Sequence, residues 1–110
     1  MESETIKNRN SSLRLIKKLI NELLPDSRII LFGSRAKKDY SNDSDYDLMI
    51  VTKDTLDIKQ KRDYQALVRK KLAKHKIPAD ILIQSEKEIK SKRKITGHIV
   101  REIMSKGISL

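Results

Sequence analysis

The chain has 110 residues, enough for one domain with a modest core and too few for two. It has no cysteine, which excludes a disulfide framework and a thiolate metal site, and no run near the ~20 apolar residues of a membrane-spanning helix. Lys and Arg total 25 against 15 Asp and Glu, and a formal charge of +10 favours anionic partners: nucleotide, nucleic acid or an acidic protein surface.

Residues 1–10 are polar and carry no apolar signal segment. They read as a frayed start to a single domain over 1–110, in a soluble, cytoplasmic protein. Ser11 or Ser12 caps a helix to about residue 24, whose face is Leu13, Ile16, Ile20 and Leu23. Pro25 stops it, because the residue before a proline disfavours the helical region. Ile29 to Phe32 is a continuous apolar run, as in a strand covered on both faces. Gly33 and Ser34 make a turn, and a short helix is expected from Arg35. Residues 37–44 are polar and return the chain to a second strand over 46–52.

The longest helix is expected over 57–76, with Tyr64, Leu67, Val68 and Leu72 as its core stripe. Much of its remaining surface is basic, including Lys61, Arg62, Arg69, Lys70 and Lys74. That face suits nucleic acid or a protein partner, or simply solvent. A third strand follows over 79–84. Ser85 and Glu88 form a capping-box pattern, so a short helix starts there, and the highly charged segment 86–94 reads as mobile. After Gly97, the spacing of Ile99, Val100, Ile103 and Met104 gives a last helix, Gly107 suits its end, and 108–110 form a short edge strand. Strands alternate with helices, so the sequence predicts an α/β, two-layer domain with a mixed sheet of three to five strands. His75 and His98 show no ligand pattern, and aromatic residues are too few for a single-strand stacking platform.

The chemistry gathers in Leu31-Phe32-Gly33-Ser34-Arg35-Ala36 and Asp45-Tyr46-Asp47-Leu48-Met49-Ile50-Val51. Gly33 lets the backbone turn sharply and a ligand come close. Ser34 offers a hydroxyl and Arg35 a fixed charge, and a helix start there favours an anion such as phosphate. Asp45 and Asp47 share one face of a strand, about 6–7 Å apart at the usual rise. Two such carboxylates suit Mg²⁺, which takes carboxylate oxygens together with substrate phosphates. Asp80 interrupts the apolar run Ile77, Ala79, Ile81, Leu82, Ile83, and a carboxylate inside a buried strand is costly unless it is paired or binds metal. A phosphate cradle beside a metal clamp implies phosphoryl or nucleotidyl transfer. A calcium loop starting at Asp43 fails, because Leu48 stands where an EF-hand needs glycine. A plain Gly-Ser turn and a solvated strand entry are the bland alternatives for each half taken alone.

Gly33-Ser34, ten residues and then Asp45-x-Asp47 resembles the signature of the polymerase-beta-like nucleotidyltransferase superfamily. The small size is similar to the minimal nucleotidyltransferases (MNT), antitoxins of HEPN toxins. The core motif covers 31–51, and weaker similarity runs from Asp80 to the end. The resemblance implies ATP as substrate and two Mg²⁺ ions held by Asp45, Asp47 and Asp80, with Asp80 also a candidate proton acceptor. It assigns the outer phosphates to Gly33, Ser34 and Arg35, and implies AMP transfer to a tyrosine hydroxyl on a HEPN-type toxin in a hetero-oligomer. Three other readings stand beside it. One is a vestigial site in an antitoxin that acts by contact alone. Another is nucleotidyl transfer to a small molecule, and the third, on charge alone, is nucleic-acid binding.

Overall fold

The computed structural model describes residues 4–36 and 45–110, with side chains from Ser11 onward. The turn expected over 37–44, and with it Asp43, lies outside them. In chain order come α1 (Glu4–Leu23), β1 (Arg28–Phe32), a one-turn 3-10 helix (Gly33–Ala36), β2 (Tyr46–Thr52), α2 (Ile58–Lys74), β3 (Ala79–Ser85), α3 (Glu86–Lys92), α4 (Ile99–Lys106) and β4 (Ile108–Ser109). The sheet has the order β3-β2-β1-β4. β1 lies antiparallel to β2 and to β4, whereas β2 and β3 run parallel. The parallel pair needs a crossover, which α2 supplies. This is the α/β, mixed-sheet architecture that the alternation of elements implies.

Strand alternation divides the core. On one face Ile29, Leu31, Leu48, Ile50, Ile81 and Ile83 meet Ile16 and Ile20 of α1 and Val68 and Leu72 of α2. On the other, Ile30, Met49 and Val51 meet Ile89 of α3 and Val100 and Ile103 of α4. Fully burying a side chain of this size contributes about 1.5–3 kcal/mol. β2 lies between both clusters, and six of its seven residues are buried; the seventh is Asp47. Ion pairs link the elements: Glu22 to Lys71 between the neighbouring helices α1 and α2 at 2.7 Å, Lys61 to Glu88 between α2 and α3 at 2.6 Å, and Arg28 to Glu86 between β1 and α3 at 2.6 Å.

Several elements differ from the sequence expectation. α1 already runs from Glu4, well before Ser11. No Gly or Pro interrupts residues 4–10, and extending an existing helix costs far less than nucleating one. α2 starts in a capping box between Asp57 and Gln60 and buries Val68 and Leu72, with Tyr64 half-buried, while Leu67 is 50% exposed. At about 100° per residue Leu67 sits one step off the face centred on Val68. Segment 86–94 contains ordered α3: Ser85 and Glu88 cap each other, and Ile89 is buried against the sheet. Gly107 ends α4 without a positive φ. It is required by space instead, since a Cβ would collide with Ile30 and lie 2.6 Å from the Ile103 carbonyl oxygen.

Candidate active site

The candidate residues collect where β1 ends and where β2 and β3 begin. β1 pairs Phe32 with Asp47, and β3 pairs Asp80 with the same Asp47. Register partners on neighbouring parallel strands point to the same face, so the two carboxylates are projected side by side from backbones about 5 Å apart. Asp45, one residue before β2, is exposed and completes an acidic mouth. The half-buried Asp47 carboxyl is pushed above its usual range, first by burial, then by the Asp80 and Asp45 charges. Asp47 therefore feels both neighbouring carboxylates.

Gly33 follows β1 directly and has φ +71°. A Cβ there would strike the Asp47 carboxylate. Glycine is thus needed twice, for the left-handed turn and for the closeness of the turn to the acid. Gly33 and Ser34 are both exposed, and Gly33 lies against the Asp47 carboxylate.

Two expectations change. Asp80 is not inside the core: it is exposed, because β3 buries its two neighbours Ala79 and Ile81 and turns Asp80 to the open end of the other face. It escapes the cost of burial and stays open to an acceptor. Arg35 does not share the exposure of Gly33 and Ser34. It is 8% exposed, and its guanidinium lies 4.3 Å over the Tyr46 ring. Tyr46 belongs to the α1/α2 face, so Arg35 is held behind the turn. The alternation of Tyr46 with Asp45 and Asp47 carried that signal. His98 caps α4, its Nδ1 accepting the Val100 N–H at 3.1 Å.

A hard cation suits this donor set, which is all carboxylate and whose mutual repulsion a cation relieves. Among the described residues no three His, Cys, Asp or Glu side chains converge into a complete ion cage. Mg²⁺ ordinarily takes one or two carboxylates and completes its shell with substrate phosphates and water, which fits the Asp47–Asp80 pair. Sequence reasoning missed a cavity of about 210 Å³ beside the turn, lined by Phe32, Gly33 and Ala36 and, from α4, by Ile99, Glu102, Ile103 and Lys106. The spacing of those four helix residues by three and four was its signal. A larger cavity of about 730 Å³ between α3 and α4 is lined by Lys90, Arg93, Lys94 and Arg101, and by none of the site residues.

Solved structures share this architecture. A chain of the toxin–antitoxin pair MntA–HpeT, in a mutant form, matches with a TM-score of 0.63 at 20% identity, over 87% of this chain and 69% of that one. A chain from the complex of a tri-AMPylated Shewanella oneidensis HEPN toxin with MNT antitoxin matches with a TM-score of 0.57 at 19% identity, over 92% of this chain and 70% of that one. At such identities the likeness is one of fold. The family model described as "Nucleotidyltransferase domain" matches residues 13–110. The protein named "Putative protein adenylyltransferase MJ0141", from Methanocaldococcus jannaschii, is 31% identical over 100 residues, which are 89% of this chain and 94% of that protein. The chain belongs to the nucleotidyltransferase domain family, and is an enzyme of that class.

Proposed function

We propose that this protein transfers AMP from ATP to a tyrosine hydroxyl of a HEPN-type toxin and so acts as its antitoxin. The observation that carries the chemistry is the placement of Asp47 between Asp80 and Gly33, with Asp45 at the strand mouth. The choice of donor and acceptor is supported by two similar proteins: a relative at 31% identity that is named as a putative protein adenylyltransferase, and a fold neighbour from a complex with a tri-AMPylated HEPN toxin.

In this reading Asp47 and Asp80 would hold Mg²⁺, with Asp45 adding its charge at the mouth, and the bound ion would neutralise triphosphate charge and lower the pKa of an attacking hydroxyl. Gly33 N–H and the Ser34 hydroxyl bind the outer phosphates. Arg35 adds positive charge from behind the turn, where its stacking on Tyr46 also keeps the turn in place. The acceptor oxygen attacks the α-phosphorus, the bond to the bridging α–β oxygen breaks, and pyrophosphate leaves. Asp80, exposed beside Asp47, accepts the hydroxyl proton.

The test is incubation with Mg²⁺, ATP labelled at the α-phosphate and the protein encoded by the neighbouring gene. The expected result is label on that partner and a mass gain in whole multiples of AMP. Asp80→Asn should still bind the partner, yet transfer should fall on the order of 10²- to 10⁴-fold, the usual contribution of a general base. Full neutralisation of the toxin by Asp80→Asn, with no AMP on it in either case, would replace this reading by one of contact alone.

A further inference from the structure

We propose that the cavity between the Gly33 turn and α4 seats the nucleoside of the donor nucleotide. The inference rests on the nucleotidyltransferase reading and adds what that reading lacks, a place for the base. Its walls are Phe32 and Ala36 on one side and Ile99 and Ile103 on the other, with Glu102 and Lys106 on the same stripe of α4. Mostly apolar walls with a few polar groups suit a flat heterocycle and do not suit phosphate. A cavity of about 150 Å³ lined by apolar side chains admits a benzene ring; this one, at about 210 Å³, has room for a two-ring base. Glu102 and Lys106 are bridged at 2.7 Å and are both well exposed. They present an acceptor and a donor at the rim, the pair needed to meet the edge of a base.

The topology separates this cavity from the acceptor side. Across the sheet the order is β3, β2, β1, so Asp80 lies on one side of Asp47, and Phe32 with Gly33 on the other. A nucleotide with its phosphates on the Gly33–Ser34 turn has the α4 cavity directly beside it. The acceptor then has the β3 side, where Asp80 is exposed. Ile99 is 55% exposed although it is a large apolar residue in a helix, and a bound base covers it.

The inference is tested by measuring affinities for Mg-ATP and for Mg-tripolyphosphate, without acceptor. Ile99→Trp fills the cavity from a half-exposed position and changes no charge. It should weaken ATP binding tenfold or more and leave tripolyphosphate within twofold of wild type. Ile99→Ala, which only removes a wall, should weaken ATP several-fold in the same selective way, and it serves if the larger residue disturbs folding. Unchanged ATP affinity in both variants overturns the inference, as does an equal loss for ATP and tripolyphosphate. If wild type binds neither ligand, the reading of the site itself fails, an outcome distinct from a failure of the cavity alone.

Discussion

The two faces of β2 are built from alternate residues of one seven-residue strand, and they do different work. Leu48 and Ile50 face α1 and α2, inside the larger apolar cluster. Asp47, Met49 and Val51 face the other way, where short α3 and α4 bury Met49 and Val51 and leave Asp47 only half-covered. One face therefore holds the fold, and the far end of the other holds the candidate active site. The strain of packing carboxylates together is confined to the mouth of the sheet, away from the large cluster. Substitutions one residue apart should then separate activity from stability.

Asp47→Asn should give the largest effect. Lewis-acid stabilisation is worth several kcal/mol, so losing a metal ligand should cost transfer roughly a thousandfold or more. The metal-free Tm should stay level or rise, because burial and two neighbouring carboxylates already disfavour the Asp47 charge. A large fall in Tm would show that Asp47 supports the fold and would blur the contrast between faces.

Leu48→Ala, one residue on, should do the reverse. Leu48 is fully buried, and such truncations cost about 2–5 kcal/mol. Denaturant unfolding should show that loss, while the rate of transfer measured well below the new Tm stays close to wild type. Loss of activity with unchanged stability would contradict the division of the strand.

The smallest effect is one of acid stability. Burial raises the Glu88 carboxyl, but hydrogen bonds from Lys61 and Ser85 outweigh it, and the group ends below its ordinary value of 4.5. A lowered folded-state pKa adds stability above the unfolded value, which is lost as pH falls through the folded one. Wild type should therefore lose stability below about pH 4.5, and Lys61→Met should flatten that fall, so the two Tm curves converge in acid. Asp47 has the opposite sign: its raised pKa means that its contribution fades as pH rises above 3.8. Parallel Tm curves for wild type and Lys61→Met across this range would remove the Lys61–Glu88 pair from the account.

Much was legible locally. β1 and β2 have the bounds that apolar runs and turn residues imply, and the box at Ser85 forms because its partner Glu88 lies three residues away. The Gly33-Ser34 and Asp45-x-Asp47 spacing marked the candidate site, since strand alternation fixes how such carboxylates point. Misjudged positions depend on neighbours distant in sequence. Leu67, Asp80 and Arg35 differ from expectation because exposure is set by which helix, strand end or ring lies alongside.

By itself, then, the sequence determined the α/β class, the order of most elements and the candidate residues of the acidic mouth and the Gly33-Ser34 turn, because all of these follow from periodicity and short-range spacing. Only the tertiary structure decided that β3 runs parallel to β2 with Asp80 in register with Asp47, and that Gly33 must lack a Cβ because the Asp47 carboxylate occupies its place. It alone brought α4 across to wall a cavity beside the turn. Those facts join residues tens of positions apart, and strand pairing and helix packing set them through burial summed over the whole chain.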